Sequence, residues 1–110
     1  MLPPIIQQYQ HQIRRICEQF GVQTLEVFGS ATGARFDPDL SDLDFIVRFV
    51  HERPEGYADR FLGLAEALEQ LFGKRVDLLT ERCIRNPYFR KTVDASRTTI
   101  YERGRAEVAV

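Results

Sequence analysis

The 110-residue chain has no excess of basic charge: fifteen lysines and arginines face sixteen aspartates and glutamates, a net charge of −1. Proteins that grip nucleic acid through its phosphates usually carry a basic surplus, so this balance argues against that role. Lysine is scarce, with only Lys74 and Lys91, and the remaining basic residues are arginines. Such a surface suits phosphate and carboxylate contacts, although a bias in genomic composition gives the same count. Cysteine is scarcer still. Cys17 and Cys83 form no CxxC pair and no metal-ligand spacing, and both lie in apolar-patterned segments, which predicts buried free thiols. No apolar run approaches the roughly 18 residues that span a bilayer. The opening MLPPIIQQYQ lacks the charged head and apolar core of a secretory signal. These absences predict a reducing cytoplasm and no membrane. There is no internal repeat, and the length predicts a single domain over residues 1–110.

Periodicity then divides the chain. Pro3-Pro4 opens a stripe of Ile5, Ile6, Tyr9, Ile13, Ile16, Cys17 and Phe20, the face of one amphipathic helix to residue 20, closed by Gly21. Strands follow at Val22 to Phe28, Ser41 to Val50 and Arg75 to Thr80, with a loop from Ala31 to Ser41. A second amphipathic helix covers Tyr57 to Phe72, a third begins after Asn86-Pro87 and ends near Ala95, and a short strand covers Thr98 to Tyr101. Residues 103–110 read as a frayed tail. The order predicts an α/β (α+β) domain: a small mixed sheet of about four strands with helices packed on one face. The four tyrosines read as packing residues, with any exposed one open to modification.

Three features carry chemistry. Asp42 and Asp44 alternate with Leu43 on a strand, so both carboxylates share a face. At about 5–7 Å apart they repel by roughly 2–3 kcal/mol at an effective dielectric near 20. A hard divalent cation removes that repulsion; two solvated aspartates at a strand entrance are the plainer alternative. Gly29-Ser30 ends the preceding strand, where a helical turn could aim free N–H groups at a phosphate, or where the chain simply turns. Asp77 lies among Val76, Leu78 and Leu79, a setting that demands either a metal or an arginine partner.

Taken together, Gly29-Ser30, the Asp42/Asp44 pair and a third acid at Asp77 resemble the signature of the nucleotidyltransferase superfamily that includes DNA polymerase beta. The stretches RFDPDLSDLDFIV, ALEQLFGKRVDLLTE and IRNPYFRK are similar to the minimal nucleotidyltransferases, and the resemblance runs from about Leu25 to Tyr101. It implies Mg²⁺ in a two-metal site on Asp42, Asp44 and Asp77, with ATP as substrate. Gly29 and Ser30 would hold phosphates. Ala31-Thr32 stand where many relatives have an arginine, leaving Arg35 as the nearest basic residue to those phosphates. The resemblance further implies an antitoxin that transfers AMP to a tyrosine of a helical HEPN ribonuclease toxin. Two other functions fit the same residues. One is a binding module that masks the partner without chemistry, through the apolar faces of the helices or through Pro87 to Arg90. The other is a transferase acting on RNA or a small molecule, with Arg82, Arg85, Arg90, Lys91 and Arg97 as a local basic stripe. Homo- or hetero-oligomers fit equally well.

Overall fold

Local sequence signals set most of the element ends. A computed structural model describes residues 4–29 and 42–104. Helices α1 (Pro4–Gln8) and α2 (Gln10–Gln19) lie end to end. The apolar stripe predicts one helix here, but the backbone opens at Tyr9 (φ −110°, ψ 20°), whose ring meets Phe72 edge-on at 5.4 Å. Strand β1 (Val22–Phe28) follows, then β2 (Leu43–Phe49), α3 (Tyr57–Phe72) and β3 (Val76–Leu79). Gly73 ends α3 at φ +64°, and its N–H donates to the Glu69 carbonyl at 2.8 Å, a left-handed helix stop that suits glycine. A 3₁₀ turn at Glu81–Cys83 leads to α4 (Pro87–Ser96) and β4 (Thr98–Glu102). Asn86 caps α4: its side-chain oxygen accepts the N–H groups of Tyr88 (2.8 Å) and Phe89 (3.2 Å), while Pro87 fills the first turn.

The sheet has strand order β3-β2-β1-β4, with β1 antiparallel to both β2 and β4 and β2 parallel to β3. The parallel pair is the one joined through a helix, α3, as parallel connections require. Leu25 and Val27 of β1, Leu43, Phe45, Val47 and Phe49 of β2, and Val76 and Leu78 of β3 form one inner face. Ile6, Ile13 and Cys17 of the first two helices and Leu64 and Leu68 of α3 cover it. Gly63 lets α3 sit close to the N-terminal helices, since a Cβ there would stand 2.5 Å from the Phe20 ring.

The opposite face is not bare, which corrects the expectation of helices on one side only. Phe28, Ile46 and Leu79 project from it and meet Ile84 and Val93, a second and smaller apolar cluster under α4. Burial of these side chains holds α4 against the sheet. Charge adds to it: Arg97, just beyond α4, donates to both carboxylate oxygens of Glu26 (3.0 and 2.7 Å), to Asp94 (2.8 Å) and to Glu81. Arg90 also binds Glu81 at 3.2 Å. Two members of the basic stripe are therefore committed to ion pairs. Two further expectations are corrected. Cys17 is buried, but Cys83 is exposed at the end of the 3₁₀ turn. Tyr88, read as a packing residue, is 83% exposed.

Candidate active site

Asp44 and Asp77 lie on the face that carries α4. Strand β2 begins at Leu43 rather than at Ser41, so Asp42 stands at its entrance, exposed, and Asp44 is its second residue. In the parallel register Asp44 lies directly opposite Asp77, as Ile46 lies opposite Leu79. Residues in register on neighbouring strands share a face, so the Asp44 and Asp77 side chains stand side by side. Burial, then the charge and hydrogen bond of Asp77, then the charge of Asp42, push the Asp44 carboxyl up to about 6. Among the described residues no arginine pairs with Asp77. The salt bridge read from the sequence as the alternative for Asp77 is thus not found among the described residues.

Gly29 forms the wall behind Asp44. Phe28 is the register partner of Asp44 across β1 and β2, so the chain leaves β1 beside that carboxylate. Gly29 has φ +78°, and a Cβ placed on it would lie 2.8 Å from Asp44 Oδ2. Backbone conformation and close approach both require glycine there. Its N–H donates to Ser96 Oγ at 2.9 Å, so that amide is directed at α4 rather than at the cleft. Ser30 and Arg35, the other expected nucleotide-binding residues, lie outside the described residues.

A cleft of about 500 Å³ opens at the acidic pair, bounded by Asp44, Asp77, Phe28, Leu79, Cys83 and Phe89. A larger one, of about 650 Å³, is lined by Arg48, Glu52, Tyr57 and Arg82 and contains none of the three aspartates. The smaller cleft has the chemistry. Among the described residues no group of three or more His, Cys, Asp or Glu side chains is arranged to hold a metal ion. The acidic pair nevertheless suits a hard cation: two facing carboxylates offer the oxygen donors that a divalent ion takes, and the ion removes their mutual repulsion. Asp42 adds a third negative charge felt at Asp44. Ser96 and Phe89 are site neighbours that sequence reasoning missed. Each lies on α4, after the last of the aspartates, and the packing of α4 on the second face brings it there.

Comparison with known proteins decides the family. The profile of the nucleotidyltransferase domain matches residues 11–100. The chain belongs to this nucleotidyltransferase family. The nucleotidyltransferase is 33% identical over 78 residues to the putative protein adenylyltransferase MJ1379 of Methanocaldococcus jannaschii, covering 70% of this chain and 75% of that one. Its fold is similar to that of a solved putative minimal nucleotidyltransferase, with a TM-score of 0.67 at 28% identity over 89% of this chain and 95% of the other. It is also similar in fold to a chain in the complex of a tri-AMPylated Shewanella oneidensis HEPN toxin with its MNT antitoxin. There the TM-score is 0.58 at 18% identity, with coverage of 88% and 72%. The mixed four-stranded sheet with its helices is the nucleotidyltransferase fold.

Proposed function

We propose that this nucleotidyltransferase transfers AMP from ATP to a tyrosine hydroxyl of a helical HEPN partner and thereby silences it as an antitoxin. The observation that carries the reading is the Asp44–Asp77 carboxyl pair, with Asp42 at its edge and the Gly29 backbone against it. The relative named a putative protein adenylyltransferase supports AMP transfer to protein. The fold shared with a chain of the complex between a tri-AMPylated HEPN toxin and its MNT antitoxin supports the class of partner.

Asp42, Asp44 and Asp77 would hold Mg²⁺, which supplies charge neutralisation for the triphosphate and the departing pyrophosphate. The protein's own part is to position and to handle protons. The acceptor oxygen attacks the α-phosphorus, the bond from that phosphorus to the bridging oxygen breaks, and pyrophosphate leaves. The acceptor's proton passes to Asp77, the most solvent-open carboxylate of the facing pair. Ser30 and Arg35 hold the outer phosphates, and the whole chain acts as one domain. We place the reaction in the cytoplasm, where the free thiols of Cys17 and Cys83 stay reduced.

The test combines the protein with ATP, Mg²⁺ and its partner, and weighs the partner. A gain of one or more AMP units is expected, and Asp44→Asn or Asp77→Asn is expected to reduce the rate by about a hundredfold or more. No mass gain with metal-loaded protein would remove the enzymatic reading. Exposed Phe89 at the cleft, with its exposed neighbour Tyr88 in the chain, favours a second reading, neutralisation by steric masking alone. The double variant Asp42→Asn, Asp44→Asn separates the two: masking predicts full neutralisation of the partner, and AMP transfer predicts its loss.

A further inference from the structure

We propose that Ser96, the last residue of α4, is a positioning residue that sets the Asp44 carboxylate for metal and nucleotide by holding the turn at Gly29. The inference rests on the nucleotidyltransfer reading and concerns a residue far in sequence from Gly29 and Asp44.

Ser96 Oγ accepts the Gly29 N–H at 2.9 Å, a bond between residues 67 apart. The same hydroxyl lies 3.5 Å from the carbonyl oxygens of Thr92 and Val93, so its proton has an acceptor within the helix. A hydroxyl can donate once and still accept, and Ser96 does both. Its own position is anchored by the two residues that follow it. Arg97 grips both carboxylate oxygens of Glu26 on β1, and Thr98 Oγ1 donates to the Ser96 carbonyl at 3.2 Å. The bond therefore joins a fixed helix end to the one residue at which β1 turns into left-handed backbone.

That residue touches Asp44. Gly29 approaches Oδ2 so closely that no Cβ fits between them. If the turn swings, the wall behind the carboxylate moves, and Asp44 gains orientations that point away from Asp77. Metal ligands lose affinity when the groups that orient them are removed. A serine kept only for helix structure would behave differently, because alanine is the better helix former at that place. Ser96→Ala should leave α4 intact while releasing the Gly29 amide.

The experiment uses Mn²⁺ as the probe, with and without ATP, and reads free ion by electron paramagnetic resonance in the unsubstituted protein, Ser96→Ala and Ser96→Thr. We expect Ser96→Ala to bind Mn²⁺ about tenfold more weakly and Ser96→Thr, which keeps the hydroxyl, to stay within about twofold of the unsubstituted protein. Equal binding by Ser96→Ala and the unsubstituted protein overturns the proposal. Should Ser96→Ala fail to fold, hydrogen exchange at the Gly29 amide of the unsubstituted protein decides. Protection like that of the β1 strand amides upholds the bond, and exchange at the open-chain rate overturns it. Unsubstituted protein that binds neither Mn²⁺ nor ATP removes the nucleotidyltransfer reading itself. That result is read without any substitution, so it is distinct from a failure at Ser96.

Discussion

Asp44 carries a charge that the metal-free fold resists. Its carboxyl is raised from 3.8 to about 6 by burial and by Asp77 and Asp42. A folded value above the unfolded one favours the protonated form, so its contribution to stability is complete below about pH 4 and is lost as pH rises through 6. At neutral pH the ionised carboxylate destabilises the metal-free protein. Asp44→Asn removes the charge at nearly constant shape. We expect this variant to be more stable than the unsubstituted protein at pH 7.5 by about 1–2 kcal/mol, a figure discounted for the half-exposed site, with the gap closing below pH 4. Urea unfolding in chelator across that range measures it. Gly29 behaves in the opposite way. Gly29→Ala meets both a positive φ and Asp44 Oδ2, so a loss of about 2 kcal/mol or more is expected together with loss of metal binding. The same denaturation series reads the first effect, and Mn²⁺ binding reads the second.

Among the elements, α4 is the one whose placement matters most. It covers only Phe28, Ile46 and Leu79, a patch much smaller than the core on the other face. Its attachment therefore depends heavily on Arg97, which is 20% exposed and held by Glu26, Asp94 and Glu81. Removing one partner of a partly buried pair strands the others, so Arg97→Ala should destabilise by roughly 2–3 kcal/mol, between the values for exposed and buried pairs. Loss of the Asn86 cap by substitution with alanine should cost about 1 kcal/mol. Chemical denaturation checks both, and only Arg97→Ala should also loosen Gly29, because only that change frees the end of α4 that carries Ser96.

For the whole molecule, stability and function pull against each other at the acidic site. A ligand that binds the folded state alone adds RT ln(1 + [L]/Kd), or about 2.7 kcal/mol at a hundredfold excess over Kd. Mg²⁺ with ATP should therefore raise the melting temperature of the unsubstituted protein. The rise should vanish in chelator and be absent from the double variant Asp42→Asn, Asp44→Asn. Scanning calorimetry of the two proteins under both conditions decides it. A double variant that gains as much as the unsubstituted protein would show that the nucleotide binds elsewhere.

Much of this protein was legible in the order of its residues. Alternation of Leu43, Phe45 and Val47 marks a strand with one buried face, and the three- and four-residue spacing through Tyr57 to Phe72 marks α3, with Gly73 as its stop. Asn86-Pro87 marks the start of α4. These signals are local: periodicity, capping and glycine conformation act over one or two turns of chain. The residue types at positions 29, 42, 44 and 77 likewise pointed to nucleotidyltransfer, and the chain belongs to that family. What only the folded chain decided is which distant groups meet. The parallel register sets Asp77 opposite Asp44, although a shift of one residue would have sent it to the other face. The second apolar cluster brings α4 down on the acidic face and with it Ser96 and Phe89. The same packing left Cys83 and Tyr88 in solvent, against their apolar surroundings in sequence. Such pairings join residues up to 67 positions apart. No periodicity reaches that far, so the tertiary fold alone chose them.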